Sequence, residues 1–140
     1  MCGIVGKIYR DPERPVEPEI IGRMKSCIVH RGPDDEGTWL ARNGGLGFQR
    51  LAIIDLASGH QPMLNEQGTL GIVFNGEIYN FPDLRKELLA CGHQFRTRSD
   101  TEVILHGYEE WGRDVTTRLR GMFAFAIFDS AKQTLFLARD

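Results

Sequence analysis

Met122-Phe123-Ala124-Phe125-Ala126-Ile127-Phe128 contains no polar position, so a strand formed here has both faces buried. A half-exposed strand would alternate polar and apolar residues, and this segment does not. Such a strand needs a covering layer on each side, and the helical patterns elsewhere predict helices on both faces of the sheet. Asp129 to Gln133 reads as a turn and Thr134 to Ala138 as the partner strand. At 140 residues one compact domain is expected, able to bury roughly two thirds of its unfolded surface. The apolar run is too short to span a bilayer, and the N-terminus lacks a signal-peptide core, so a cytoplasmic location is expected. A formal charge of −2 with mixed signs gives no broad basic face for nucleic acid and no polybasic segment for a membrane. A small-molecule or protein partner is the expectation that remains.

The N-terminal half reads as strand, helix and hairpin. Ile4, Val5, Ile8 and Tyr9 suggest a first strand. Pro18 opens a helix whose apolar face is Ile20, Ile21, Met24, Cys27 and Ile28, with Glu17 and Glu19 at its positive end. His30-Arg31-Gly32-Pro33-Asp34-Asp35 must break that helix. Thr38–Leu40 and Leu46–Phe48 form a predicted hairpin turning at Asn43-Gly44-Gly45, and its second strand runs on through Arg50 towards Asp55.

The C-terminal half repeats the strand-then-helix pattern. Leu70, Ile72 and Phe74 form a strand delivering Asn75-Gly76-Glu77 to a strand-to-loop junction, where an Asn amide and a Gly N–H side by side suit a developing oxyanion. Asn80 is the predicted cap of a helix carrying Leu84, Leu88 and Leu89 and closing at Gly92. Ser99-Asp100-Thr101-Glu102 has capping-box spacing, ahead of a helix with Val103, Ile104, Leu105 and Tyr108 that ends near Trp111-Gly112. Three cysteines in no paired spacing exclude a disulfide framework, and Cys27 and Cys91 are expected to be reduced and largely buried. His60 has no second ligand near it, and no metal site is predicted.

Cys2 has the most chemical reach. Removal of Met1 would leave it as an N-terminal residue carrying both a thiol and an α-amine able to take the thiol proton. Cys2-Gly3-Ile4-Val5-Gly6, His30-Arg31-Gly32-Pro33-Asp34, Arg50-Leu51-Ala52-Ile53-Ile54-Asp55, Phe74-Asn75-Gly76-Glu77-Ile78-Tyr79-Asn80 and Ser99-Asp100-Thr101-Glu102 resemble, in this order, the glutaminase domain of glutamine-hydrolysing asparagine synthetases. These are class II glutamine amidotransferases of the N-terminal-nucleophile hydrolase superfamily. The resemblance implies an α+β fold, an αββα sandwich of two mainly antiparallel sheets between helix layers.

It also implies roles. Cys2 is the nucleophile, while Asn75 and the Gly76 N–H hold the oxyanion. Arg50 holds the substrate carboxylate, Asp100 accepts its ammonium, and Glu77 and Ile53 line the site. Arg31 and Asn80 hold the surrounding loops. The partner is L-glutamine, together with a synthetase domain of the same full-length chain, and a homodimer is compatible. The domain itself is expected to use no cofactor; ATP and Mg belong to the synthetase domain. Residues 1–140 would be a glutaminase domain incomplete at its C-terminal end. The family's usual His shortly before the Arg is replaced by Phe48-Gln49, so any hydrogen bond that His makes is absent here. Two further readings compete: a catalytically idle glutamine-binding, regulatory or assembly domain, and an amidotransferase with an acceptor other than aspartate. A redox-sensing thiol has little support, since no resolving Cys is near Cys2 in sequence.

Overall fold

A computed structural model describes residues 2–51 and 59–140. The predicted continuation of the hairpin strand through Ala52–Asp55, and with it Ile53, lies outside the described residues.

Two antiparallel sheets stack face to face. The first has the order β1-β3-β2, built from β1 (Gly3–Ile8), β2 (Asp35–Ala41) and β3 (Gly44–Arg50). The second has the order β4-β5-β6-β7, from β4 (Met63–Leu64), β5 (Leu70–Ile78), β6 (Gly121–Asp129) and β7 (Thr134–Arg139). Helix α1 (Pro18–Cys27) covers the outer face of the first sheet; α2 (Phe81–Ala90) and α3 (Asp100–Trp111), with the short α4 (Val115–Arg118), cover the second. The architecture is the N-terminal-nucleophile hydrolase αββα sandwich.

The period of two along each strand sorts the two cores. On β6, Phe123, Phe125 and Ile127 join Val103, Ile104, Leu105 and Tyr108 under the helices. Ala126 and Phe128 face the other way, into a second cluster with Leu46, Phe48 and Val73. The apolar β6 run is therefore buried on both faces as expected, but by helices on one side and the first sheet on the other. The expectation of helices on both faces is corrected: the run demands two covers and says nothing about their type.

Local departures follow the same logic. The hairpin turns at Arg42-Asn43, with Arg42 at φ 50°, and Gly44 and Gly45 lie inside β3. Their lack of a side chain is a packing need, since a Cβ on Gly44 would overlap the Phe128 ring. On α1 the buried residues are Ile21 and Lys25, whose stem crosses Gly47 while its ammonium reaches Glu36 Oε2 at 3.0 Å. Cys27 and Cys91 are free but exposed, against expectation, because each falls at a helix end turned to solvent. Leu89 likewise faces outward, and α2 packs through Leu84 and Leu88.

Only half of the capping box forms. Ser99 Oγ accepts from the Thr101 N–H at 3.1 Å, but Glu102 turns to the loop before the helix, accepting from the N–H groups of Arg96 at 2.7 Å and Thr97 at 2.8 Å. Glu102 is worth more there, because it satisfies several partly buried donors at once. Burial alone would raise its pKa; the attraction of His106 and these hydrogen bonds outweigh that and bring it down to about 2.

Candidate active site

Strand parity places the sequence-predicted residues. Arg50 shares the face of β3 that carries Leu46 and Phe48, towards the second sheet. Cys2, just ahead of β1, packs with Ile4 and Ile8 on the same inner face. On β5, Val73 points into the inter-sheet cluster, so Asn75 and Glu77, two and four residues on, face that way too. Three strands thus turn Cys2, Arg50 and Asn75 towards one gap.

The register brings them to the same end of the sandwich. Gly3 pairs with Gln49, which sets Cys2 beside Arg50, and Asp35 pairs with Arg50 on the other side. The two sheets are tied together at this level by Gln61. Its backbone carbonyl lies against Gly37 of β2, close enough that a Cβ on Gly37 would overlap it. Its side-chain Oε1 accepts from the Phe74 N–H at 2.6 Å, and its Nε2 donates to Thr101 Oγ1 at 3.4 Å. Phe74 adjoins Asn75 and Thr101 adjoins Asp100, so one buried amide fixes the neighbours of two predicted site residues. Sequence reasoning missed Gln61 because its partners lie on distant elements. Gln61→Leu leaves the Phe74 N–H buried and unpaired, which is expected to cost about 1–3 kcal/mol, read as a lower denaturant midpoint. An unchanged midpoint would show that water or a neighbour replaces the amide.

Two contacts among the described residues position Cys2. Its thiol lies 3.9 Å from the Leu51 carbonyl oxygen, its hydrogen-bond acceptor, and Arg31 Nη2 donates to the Cys2 carbonyl oxygen at 3.5 Å. Arg31 is thus in place to hold the N-terminal segment. Gly32 supports the same region by close approach: a Cβ there would overlap the Arg50 backbone. The Arg50 side chain is buried, and Gly59 lies directly against its guanidinium. The Asp35 carboxyl is held below its ordinary pKa, chiefly by His60, whose Nδ1 is 3.0 Å away, with a smaller contribution from the Arg50 charge. Where the resemblance loses a His before Arg50, Phe48 fills the inter-sheet core and Gln49 bonds Glu36 at 3.1 Å on the opposite face.

Asn75 and Gly76 lie inside β5, paired with Ala124 and Phe123, not at the predicted strand-to-loop junction. An Asn-Gly pair reads locally as a break, but β6 continues beside it to Gly121 and keeps the ladder intact. Gly76 adopts φ 153°, and a Cβ would overlap the Met122 carbonyl and Phe123 Cα. Its absence of a side chain is a structural requirement of the close approach to β6.

Asp100, at the start of α3, accepts from the Ile78 N–H at 2.9 Å through Oδ2. Its carboxyl is pushed above its ordinary pKa, first by burial and further by the charge of Glu77, while the backbone hydrogen bonds pull the other way. Two carboxylates set against each other in a partly buried place make a subsite that a cation would relieve. Asn80 does not cap α2 with its side chain. Its Nδ2 donates to the Arg118 carbonyl and its Oδ1 accepts from the Arg120 N–H, each at 2.9 Å, so it pins the approach to β6 instead.

Comparison with known proteins adds the family. Residues 1–140 match the family described as "Glutamine amidotransferase domain". Asparagine synthetase [glutamine-hydrolyzing] 3 of Bacillus subtilis is 45% identical across the whole chain, and asparagine synthetase [glutamine-hydrolyzing] 1 of Arabidopsis thaliana is 41% identical. The chain spans 23% and 24% of the length of these two relatives. Among solved structures, the glutamine phosphoribosylpyrophosphate amidotransferase of B. subtilis aligns over 72% of this chain and 24% of its own, with TM-score 0.57 and 26% identity. A structure titled as the allosteric regulatory enzyme of purine biosynthesis aligns over 99% of this chain and 37% of its own, with TM-score 0.76; at 22% identity it supports the fold alone. Since the match runs the length of the chain and the sandwich turns Cys2, Arg50 and Asn75 into one gap, the chain belongs to the glutamine amidotransferase domain family.

Proposed function

We propose that this chain is the glutaminase part of an asparagine synthetase, hydrolysing glutamine to glutamate and ammonia. The observation that carries the reading is the convergence of Cys2, Arg50 and Asn75 on the inner faces of two sheets at one end of the sandwich. Glutamine has a carboxylate, an ammonium and a side-chain amide, and the site offers a partner for each. Arg50 takes the carboxylate, and a planar guanidinium suits two parallel hydrogen bonds to it. Asp100, raised by burial and by Glu77, takes the ammonium, whose charge relieves both effects.

With Met1 removed, the Cys2 α-amine takes the thiol proton and the sulfur attacks the amide carbon of glutamine. The oxyanion that forms is held by Asn75 and the Gly76 N–H. Return of the proton to nitrogen releases ammonia and leaves a Cys2 thioester, which water hydrolyses to glutamate. The ammonia then serves a synthetase domain that joins it to aspartate with ATP and Mg, and the setting is cytoplasmic; the similarity to asparagine synthetases supports both steps. Among the described residues no helix is long and apolar enough to cross a membrane. Retention of all the charged and amide groups that glutamine needs favours a working glutaminase over an idle binding domain.

Glutamate release from glutamine by the purified protein tests the reading, and its absence from correctly processed protein would return the chain to a binding role. Within that assay, Arg50→Lys and Asp100→Asn are expected to raise KM strongly, each weakening one charge-matched contact. Native KM in both variants would move the pocket elsewhere. Asn75→Ala is expected to lower kcat by about 10²- to 10³-fold, as for loss of one oxyanion donor. An unchanged kcat would reduce Asn75 to a strand residue.

A further inference from the structure

Among the described residues, a group of titratable side chains outside the inter-sheet gap lies where the turn after α2 meets α3. His93, His106 and Glu109 each present a ligand atom there, and these atoms lie within 4.8 Å of one another. His106 Nδ1 is 2.8 Å from Glu109 Oε2, and His93 Nδ1 is 3.8 Å from the same oxygen. Neighbouring donors around a tetrahedral zinc ion are separated by roughly 3.3 Å, a value these two distances straddle. The imidazole rings tilt against each other with centroids 4.9 Å apart, and Glu109 Oε2 lies near the Nδ1 of both.

The surroundings complete the pattern of a metal site. A histidine ligand characteristically gives its far N–H to a carboxylate, which fixes the tautomer and leaves the near nitrogen's lone pair for the ion. His93 Nε2 is 3.1 Å from Glu110 Oε2. His106 Nε2 has Glu102 Oε1 at 3.7 Å and Glu66 Oε1 at 4.0 Å. Asn65 Nδ2 donates to the other oxygen of Glu109 at 2.9 Å and orients it. His106 is 1% exposed, and its Nε2 is buried without a hydrogen bond. That orphan is explained if the ring's hydrogen-bonding arrangement is set for an occupied site: with an ion on Nδ1, the proton moves to Nε2, and a small tightening brings it onto Glu102. Four carboxylates around two imidazoles also leave the cluster short of positive charge.

We propose that His93, His106 and Glu109 form a binding site for a divalent transition ion of the zinc class, with a water completing the tetrahedron. The ion would fasten the turn after α2 to α3, the helix that begins with Asp100, without touching the inter-sheet gap. Sequence spacing gave no sign of it, because His93 lies on a different element from the His106-x-x-Glu109 pair.

The test measures zinc and cobalt binding by the chelator-stripped protein. Cys27→Ser and Cys91→Ser remove the two exposed thiols beforehand, and the visible spectrum of the cobalt form reports any remaining thiolate ligation. One zinc per chain, a higher Tm with zinc, and tetrahedral cobalt bands without a thiolate charge-transfer band are expected. His93→Gln and Glu109→Gln should each lose the bound ion, and with it the rise in Tm that zinc gives over the same variant's own metal-free value. Glu110→Gln, which touches only the far nitrogen of His93, should weaken binding by about 10- to 100-fold. Two results would overturn the proposal: no stoichiometric zinc on the stripped protein, or equal affinity in the wild type and in both His93→Gln and Glu109→Gln. If one of these variants fails to fold, the other and Glu110→Gln decide by the same criterion.

Discussion

Cys2→Ala is expected to take glutamine hydrolysis below detection while glutamine affinity stays within about tenfold of native, because the thiol supplies covalent chemistry and little ground-state binding. The structure separates those two contributions. Arg50, Asn75 and Asp100 stand on β3, β5 and α3, elements separate from the segment that carries Cys2. Cys2 itself is held through its backbone, by the Arg31 contact to its carbonyl oxygen and by β1 starting at Gly3. Alanine keeps both anchors, so the variant should melt like the wild type. Steady-state glutamate release together with glutamine binding by calorimetry checks the two halves of the expectation. Native-like turnover would remove Cys2 from the chemistry, and a collapse of affinity with it would make the thiol a packing element.

A retained N-terminal extension, whether uncleaved Met1 or an added tag, is expected to give folded but inactive protein, with activity returning when proteolysis frees Cys2. The thiol's partner is the Leu51 carbonyl oxygen, which accepts the S–H but cannot remove the proton. In the proposed mechanism the base is the α-amine. Converting that amine to an amide removes the lone pair, and the added peptide group intrudes on the space needed by the substrate amide. A conventional Cys-His enzyme would be indifferent to such an extension. Equal activity before and after release, with mass spectrometry confirming the intact extension, would exclude the amine as base and leave the thiol nucleophile standing.

Much of the framework was legible because the strongest signals were also the most local. The seven-residue apolar run of β6 could only be a strand covered twice, and Ser99 could only start a helix. What covered β6 was not legible, since a sheet and a helix present the same demand for apolar surface. Nor did Asn75-Gly76 show that it lay inside a strand. The glycine there answers to the closeness of β6, a contact made across 47 residues of sequence, from Gly76 to Phe123. The candidate site was read from ordered motifs, and strand parity accounts for their common direction: Arg50 and Asn75 fall on the inner faces of β3 and β5, and Cys2 packs on the same side just ahead of β1. Gln61 and the His93–His106–Glu109 cluster escaped notice for a common reason. Each draws its partners from elements that only tertiary packing brings together, and no spacing along the chain encodes that.

The central claim is that Cys2, as the N-terminal residue, carries the glutamyl group during turnover. Acid-quenching the protein while it hydrolyses glutamine, then digesting it and weighing the N-terminal peptide, reads this directly. The account predicts a peptide beginning at Cys2 that carries one glutamyl group on sulfur and loses it on treatment with hydroxylamine. Glutamate release with the N-terminal peptide never modified, or with the glutamyl group on another residue, would contradict it.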